Sequence, residues 1–372
     1  YGLSISLDKI VGNLSAGERQ RIEIIRCLLL NPKSMIMDEP TSVLTPGEVS
    51  DLFSVLKKLS NAGMSILYIS HKLEEIRTLC TKATIMRRGQ VVKKCDPQNI
   101  STSKIAEEMV GTSFSSPKKS KFKKGKECLK INNLSFKPLD PFGIPIRNLN
   151  LKIHHGEILG IGGVAGNGQE EFLSLLSGEL KPTNGSLLFD GIDITKLNVV
   201  ERRNKGLLTA PEERLGHAAV PVMTLTENCL ITAEHRMNLS KKGFIDYESS
   251  KKLSDEIIKK LDVRTSGSDA LARSLSGGNL QKFVIGRELI QKPKIFIVNQ
   301  PTWGVDAAAA SSIRQQILDL AKDGAAVIVI SQDLDELLEI SDVFCALVGG
   351  QLSSPENTSE LNPSKLGMLI SN

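Results

Sequence analysis

Lys33-Ser34-Met35-Ile36-Met37-Asp38-Glu39-Pro40-Thr41 and Lys294-Ile295-Phe296-Ile297-Val298-Asn299-Gln300-Pro301-Thr302 are two versions of one segment. Each is an apolar run closed by two polar residues and a Pro-Thr turn. The same displacement of 261 residues maps Leu14-Ser15 onto Leu275-Ser276, Gln20 onto Gln281 and Arg26 onto Arg287. It also maps Pro32 onto Pro293, Gly63 onto Gly324 and Ser70 onto Ser331. The frame holds through this stretch without insertion. The copies differ at their polar ends: Asp38-Glu39 becomes Asn299-Gln300, and His71 becomes Gln332. A duplicated frame that loses its charges in one copy points to an asymmetric machine with two sites.

The runs at 34–37 and 65–69, and their partners at 295–298 and 326–330, are continuous enough for buried parallel strands. Ile22, Ile25, Leu28 and Leu29 fall at helical spacing between them. Alternating strands and helices predict an α/β fold with a mostly parallel sheet. The 372 residues suit about two domains. A hydrophobic content of 40% is sufficient for real cores, and no apolar run approaches the ~20 residues of a membrane helix. The six cysteines are scattered, which argues against a disulfide framework or zinc site and fits a reducing cytoplasm. The net charge of +5 is mild and sits largely in Lys118, Lys119, Lys121, Lys123, Lys124, Lys126 and Lys130. With little aromatic interleaving beyond Phe122, that run predicts a solvated linker rather than a nucleic-acid surface.

Three parts are expected. Residues 1–112 form the rear of a first domain, 113–127 a Lys/Ser-rich linker, and 128–372 a second domain. The second opens with strand-like alternation at Leu129–Phe136 and a strand at Glu157–Ile161. A glycine-rich loop follows, Gly162-Gly163-Val164-Ala165-Gly166-Asn167-Gly168, and then a helix from Gln169. Such a loop presents backbone N–H groups to phosphate at a helix N-terminus. The phosphate-loop pattern requires lysine and a hydroxyl where Gln169 and Glu170 stand, so nucleotide binding there is expected to be weaker and hydrolysis poor. Met35–Glu39 is a strand ending in two carboxylates. Asp38 can hold Mg²⁺, and Glu39 can accept a proton from attacking water, a role worth roughly 10²–10⁴-fold. Asn299 and Gln300 are near-isosteric removals of both roles. Leu14-Ser15-Ala16-Gly17-Glu18 and Leu275-Ser276-Gly277-Gly278-Asn279 each open a helix. Ser15 with Glu18 is also a capping box, but what persists between the copies is a hydroxyl and a glycine at a helix N-terminus, which suits an anion.

At this point the residues name a family. LSAGE and LSGGN resemble the signature motif of ATP-binding cassette (ABC) ATPases. Met35–Glu39 resembles the Walker B strand, Ser42–Thr45 the D-loop, and His71 the switch histidine. Val43-Leu44-Thr45-Pro46, Gly163–Gln169 and Ala210-Pro211-Glu212-Glu213-Arg214 resemble the tandem ATPase subunit of bacterial importers for simple sugars and nucleosides, the nucleoside branch in particular. The resemblance implies P-loop NTPase domains, each with a RecA-like parallel sheet core plus a helical subdomain, in two tandem copies of which the first is incomplete. It implies ATP and Mg²⁺ as ligands, and two cassettes packed head to tail. One composite site then takes Asp38, Glu39 and His71, completed by Ser276, Gly277, Gly278, Asn279 and Asp306. The other takes Gly163, Gly166, Asn167, Gly168, Gln169, Glu170, Asn299, Gln300 and Gln332, completed by Ser15, Ala16, Gly17 and Thr45. All departures from the family pattern fall on the second site.

The implied partners are two integral membrane permease subunits and, indirectly, a solute-binding lipoprotein, at the cytoplasmic face of the inner membrane, with no nucleic acid. Ala210–Arg214 stands in the Q-loop region. Phe136 and Phe142 are candidates for adenine stacking, with core packing the plainer role, and Trp303 is expected to pack beside its strand. Tyr1 is not Met, and the chain enters the first copy partway, so a fragment with negligible ATPase activity in isolation is expected. Two rivals remain. One is a soluble tandem cassette acting on ribosomes or nucleic acid, disfavoured by the degraded site and short linker. The other is a nucleotide sensor without turnover, disfavoured by Asp38, Glu39 and His71.

Overall fold

The structure is a computed structural model and describes residues 11–370, except 12, 13, 15, 42, 43, 45, 71, 88, 111–123, 142, 362–365, 367 and 368. The chain divides into two compact units, residues 1–116 with 164–166, and residues 117–163 with 167–372.

The first unit contains α1 (Ala16–Leu29), β1 (Ser34–Asp38), α2 (Pro46–Asn61), β2 (Ser65–Ile69) and α3 (Leu73–Leu79). A hairpin of β3 (Ala83–Arg87) and β4 (Gln90–Cys95) follows, then α4 (Thr102–Val110). β1 and β2 pair in parallel, Ser34 beside Ser65. Ile24 and Leu28 of α1 and Leu52, Val55 and Leu56 of α2 cover Met35 and Met37. Their spacing puts these residues on one helix face.

The second unit begins with β5 (Glu127–Phe136), β6 (Ile146–His154), β7 (Ile158–Gly162), α5 (Gln169–Ser177), β8 (Asn184–Phe189) and β9 (Ile192–Asp193). Next come α6 (Val199–Lys205), β10 (Leu207–Ala210), α7 (Leu225–Ala233), a small hairpin of β11 (Ser240–Lys241) and β12 (Phe244–Ile245), and α8 (Tyr247–Lys260). The rest is α9 (Gly277–Leu289), β13 (Ile295–Asn299), α10 (Ala307–Lys322), β14 (Ala326–Ser331), α11 (Leu334–Ile340), β15 (Val343–Val348), β16 (Gln351–Leu352) and β17 (Glu356–Asn357). Its seven-stranded sheet runs β10-β13-β14-β7-β15-β16, with β17 also paired to β15. The first five are parallel. A four-stranded antiparallel sheet has the order β6-β5-β8-β9. Backbone pairing begins before the expected linker ends, since Gly125 N–H donates to His155 O at 2.9 Å.

The repeat is structural. Adding 261 to the bounds of β1, α2 and α3 gives those of β13, α10 and α11. One expectation is corrected. β1 and β2 are not fully buried: Ile36 is 71% exposed, whereas its counterpart Ile297 is at 0%. Leu67 and Ile69 are exposed where Ile328 and Ile330 are buried. In the second unit, Phe172, Leu173 and Leu176 of α5 join those residues in one core, and β7 and β10 extend the sheet. Among the described residues, β1 and β2 have only each other as strand neighbours.

The far end of α9 is anchored by a buried ionic centre. Glu288 accepts from Arg287 Nε at 2.9 Å and from Arg203 Nη2 at 2.6 Å. Arg287 also donates to Asn228 O and Ala218 O, which ties α9 to α7 and the segment before it. Removing one partner of a buried pair leaves an uncompensated charge. Glu288→Gln is therefore expected to lower the unfolding free energy by about 3–5 kcal/mol in urea titrations. A loss under about 1 kcal/mol would show that the centre is not an anchor.

Candidate functional site

The two strand ends share a backbone and differ in charge. After β1, Glu39 takes φ 44° and its N–H donates to Ile69 O at 2.9 Å. After β13, Gln300 takes φ 54° and donates to Ile330 O at 2.8 Å. A left-handed non-glycine residue is uncommon, and its recurrence at both ends marks a turn held by its surroundings. The Asp38 carboxylate is exposed at its strand end. Its counterpart Asn299 is buried. The Asn299 Nδ2 reaches Glu212 Oε2 at 3.4 Å, while its Oδ1 has no hydrogen-bond partner. Gln332 N–H approaches Gln300 Oε1 at 3.5 Å, so two substituted positions face one another. His71, Ser15 and Thr45 lie outside the described residues, and Ala16 and Gly17 fall in the first turn of α1.

Each turn is held by a buried glutamate. Glu75 on α3 accepts from Thr41 Oγ1 at 2.6 Å, Tyr68 Oη at 2.7 Å and Ser70 Oγ at 3.1 Å. Glu336 on α11 accepts from Thr302 Oγ1 at 2.7 Å and Ser331 Oγ at 2.8 Å. Each carboxylate joins the Pro-Thr turn of one strand to the end of the next. In both copies the serine hydroxyl also accepts from a backbone N–H two residues on, Lys72 or Asp333, at 3.0 and 3.1 Å.

The glycine-rich loop joins β7 to α5. Gly168 caps α5 at φ 101°, and Gly166 has φ 82°. Gly163 passes so close to β15 that a Cβ would fall 2.5 Å from Leu347 O. Asn167 is held by its neighbours: Oδ1 accepts from Gly349 N–H and its carbonyl from Gly350 N–H. Gln169 is buried, and its Oε1 accepts from Asn167 N–H at 3.0 Å. The side chain standing in for the lysine thus folds back and takes one of the loop's donors. Burial, then the nearby Glu170 carboxylate, push the Glu212 carboxyl above its usual range, and Arg214 partly offsets this.

Ser276 is the N-cap of α9 but makes no side-chain cap bond. Its Oγ accepts from Asn279 Nδ2 at 2.8 Å, and Asn279 Oδ1 in turn accepts from Arg264 N–H. The amide N–H groups of the first turn therefore have no side-chain acceptor from the cap residue, the condition an incoming anion exploits. Asp306 caps α10, accepting from Ala309 N–H at 2.9 Å.

A family model described as ABC transporter matches residues 2–42 and 146–303. The chain belongs to the ABC transporter family. It is 35% identical to the nucleoside import ATP-binding protein NupA of Lactococcus lactis subsp. cremoris, over 100% of this chain and 73% of that protein. It is 34% identical to the guanosine import ATP-binding protein NupO of Bacillus subtilis, over 100% and 72%. It is 36% identical to the galactose/methyl galactoside import ATP-binding protein MglA of Escherichia coli, over 97% and 71%. A dimeric structure of a post-hydrolysis state of the ATP-binding cassette MJ0796 bound to ADP and Pi shares the fold. Its TM-score is 0.53 at 24% identity, covering 62% of this chain and 98% of that one.

Within this ABC transporter chain, the two strand ends suit different ligands. Asp38 offers an exposed anionic oxygen that fits a divalent cation. Around β13 the residues do not fit a magnesium triphosphate. Asn299 offers a neutral orphan oxygen, Glu170 and Glu212 are carboxylates, and Gln169 already holds an amide of the loop. Trp303 does not pack into the core. It is 46% exposed and carries the Arg214 guanidinium over its ring, 5.1 Å from the centroid. Phe136 packs against the core, and Phe142 lies outside the described residues. His155, Asp190 and Cys128 also come together. Both ring nitrogens of His155 are engaged, by Asp190 Oδ1 at 2.8 Å and Gly324 O at 3.2 Å, with Lys294 Nζ 3.9 Å from the other Asp190 oxygen. The Asp190 carboxylate is thus flanked by His155 and Lys294, and both imidazole nitrogens are already in use.

The glutamate tether is invisible to motif matching, although Glu75 and Glu336 keep the same displacement as the rest of the repeat. Burial pushes the Glu336 carboxyl from 4.5 up to about 7; the Thr302 and Ser331 donors oppose this and Asp333 adds to it. A carboxyl raised in the folded state contributes stability that is whole below 4.5 and lost as pH rises through about 7. Unfolding free energy is expected to fall across that window by on the order of 3 kcal/mol from this group. Glu336→Gln should flatten that decline in urea titrations at pH 4.5 and 7.5. Parallel profiles for the two proteins would refute the assignment.

Proposed function

We propose that the chain is the energy-coupling ATPase of an importer for simple sugars or nucleosides, with nucleosides favoured. The observation that carries this is the contrast between two strand ends in one frame. Tethered turns and left-handed residues recur, while the exposed Asp38 and the half-buried Glu39 are matched by buried, neutral Asn299 and Gln300. A protein that only binds nucleotide has no use for the first pair. The nucleoside preference draws on the likeness to NupA and NupO, the solute itself being handled by other subunits.

In this reading the first cassette hydrolyses. Glu39 accepts the proton of the attacking water, and its left-handed turn, held by Ile69 O, fixes where that carboxylate stands. Asp38 would hold Mg²⁺, which when bound neutralises charge on the β- and γ-phosphate oxygens. His71 would contact the γ-phosphate. Ser276, Gly277, Gly278 and Asp306, whose helix ends are as described, would meet nucleotide as a signature turn and D-loop. Gly163, Gly166, Asn167, Gly168, Gln169 and Glu170 belong to a second site that hydrolyses little. Two membrane permeases would turn closure and reopening into transport, with a solute-binding lipoprotein feeding them, and the protein would sit peripherally at the cytoplasmic face of the membrane. No described helix is long and apolar enough to cross a membrane.

Glu39→Gln in the full-length protein is expected to lower ATP turnover by about 10²–10⁴-fold while leaving ATP binding intact. Steady-state phosphate release together with equilibrium nucleotide binding checks this, and retained turnover would overturn it. Gln300→Glu is expected to restore little, because Gln169 and Asn299 remain. A large gain in phosphate release there would show that the second site is misassigned.

A further inference from the structure

Arg214 stands where three motifs of the second unit meet. It lies in the turn that follows β10, two residues beyond Glu212. Its Nε donates to Gln281 Oε1 at 2.9 Å, on the second turn of α9. Its Nη2 donates to Trp303 O, and the guanidinium carbon lies over the Trp303 ring, 5.1 Å from the centroid. Nη1 lies 2.7 Å from where a Cβ on Gly277 would fall, and the guanidinium nitrogens lie 3.3 and 3.5 Å from the same point on Gly304. Gln281 is fully buried and passes the connection on, its Nε2 donating to Gln300 O at 3.2 Å and Pro301 O at 3.3 Å. One side chain thus spans the turn after β10, the start of the signature helix and the segment that leads to Asp306.

The chemistry of the contact suits arginine and not lysine. A planar fork can donate from Nε and Nη2 in two directions while its face stays on an aromatic ring; an ammonium supplies a point charge. The two glycines leave room for that plane to lie against the signature turn. A cation beside the positive end of a helix gains nothing from the helix itself, so the hydrogen bonds and the ring hold Arg214 there.

We propose that Arg214 is a positioning residue for ATP hydrolysis by the full-length protein. It fixes the signature turn Ser276–Gly278 against the Gly304–Asp306 segment, so that the two meet the nucleotide as one rigid edge. This rests on the reading that Ser276–Gly278 is a signature turn that meets nucleotide. It also gives the hydrolytically poor cassette a role: its turn after β10, which through Glu212 reaches Asn299, sets the geometry of the edge it presents.

The test uses the full-length protein with Arg214→Gln and Arg214→Lys, beside Gly278→Asp, and measures kcat for ATP, nucleotide affinity and Tm. A misplacement of about 1 Å in a catalytic arrangement costs about 10²-fold. Arg214→Gln is therefore expected to lower kcat by about that factor with ATP affinity and Tm unchanged. Arg214→Lys is expected to recover little, because it cannot make both bonds. Wild-type kcat in Arg214→Gln, or full rescue by lysine, overturns the proposal. So does a kcat loss matched by an equal loss of folded protein. Should Arg214→Gln not fold, Arg214→Lys and Trp303→Ala decide it on the same readouts. If Gly278→Asp keeps full turnover, the signature reading itself is wrong. If Gly278→Asp abolishes turnover and Arg214→Gln does not, the Arg214 proposal alone fails.

Discussion

A buried glutamate side chain hydrogen-bonded to two hydroxyl groups is the constraint on which both strand ends depend. Glu75 and Glu336 each reach from a short helix to a threonine after one strand and a serine at the end of the next. Burying a carboxyl is costly unless donors surround it, so the arrangement is stable only when both turns are in place. It therefore fixes the ends of two adjacent parallel strands relative to one another. Asp38 and Glu39, or Asn299 and Gln300, sit between those fixed points. Their backbones coincide in form, down to the left-handed residue and its hydrogen bond to the neighbouring strand.

Given that shared frame, the difference between the halves is electrostatic. At the end of β1 a carboxylate is exposed and available to a cation. At the end of β13 the matching residue is buried within reach of Glu212, whose own carboxyl is already raised by burial and by Glu170. An ionised aspartate at 299 would add a further charge to that place, and a neutral amide avoids it. The orphan oxygen of Asn299 remains as the cost of that exchange. The loop near it is likewise self-contained, because Gln169 uses its amide oxygen on Asn167. The change from acid to amide at the strand end is thus accompanied by a loop whose Asn167 amide is already taken.

Much of this was legible in sequence. The displacement of 261 residues read from the strands and turns is the one by which the bounds of β1, α2 and α3 map onto those of β13, α10 and α11. The glycine loop, the signature turn and the substituted strand ends followed from residue type and order. The burial of β1 and β2 did not follow. An apolar run reports that a strand can be buried, and its neighbours decide whether it is, which separates Ile36 from Ile297. Arg26 and Arg287 make the same point. They match in the repeat, yet Arg26 lies exposed beside Glu23, while Arg287 is buried in an ionic centre shared with α6 and α7.

The fold class, the doubled frame and the asymmetry between acid and amide are written in the order of residues. These depend on local period and on residue identity at equivalent positions. Tertiary structure alone decided what holds that frame and what stands beside it: the glutamate tethers, the folding back of Gln169, and the meeting of Arg214 with Gln281 and Trp303. The physical reason is distance along the chain. Arg214 is 67 residues from Gln281 and 89 from Trp303. Strand order brings such residues together, and no periodicity within a segment encodes which strands become neighbours.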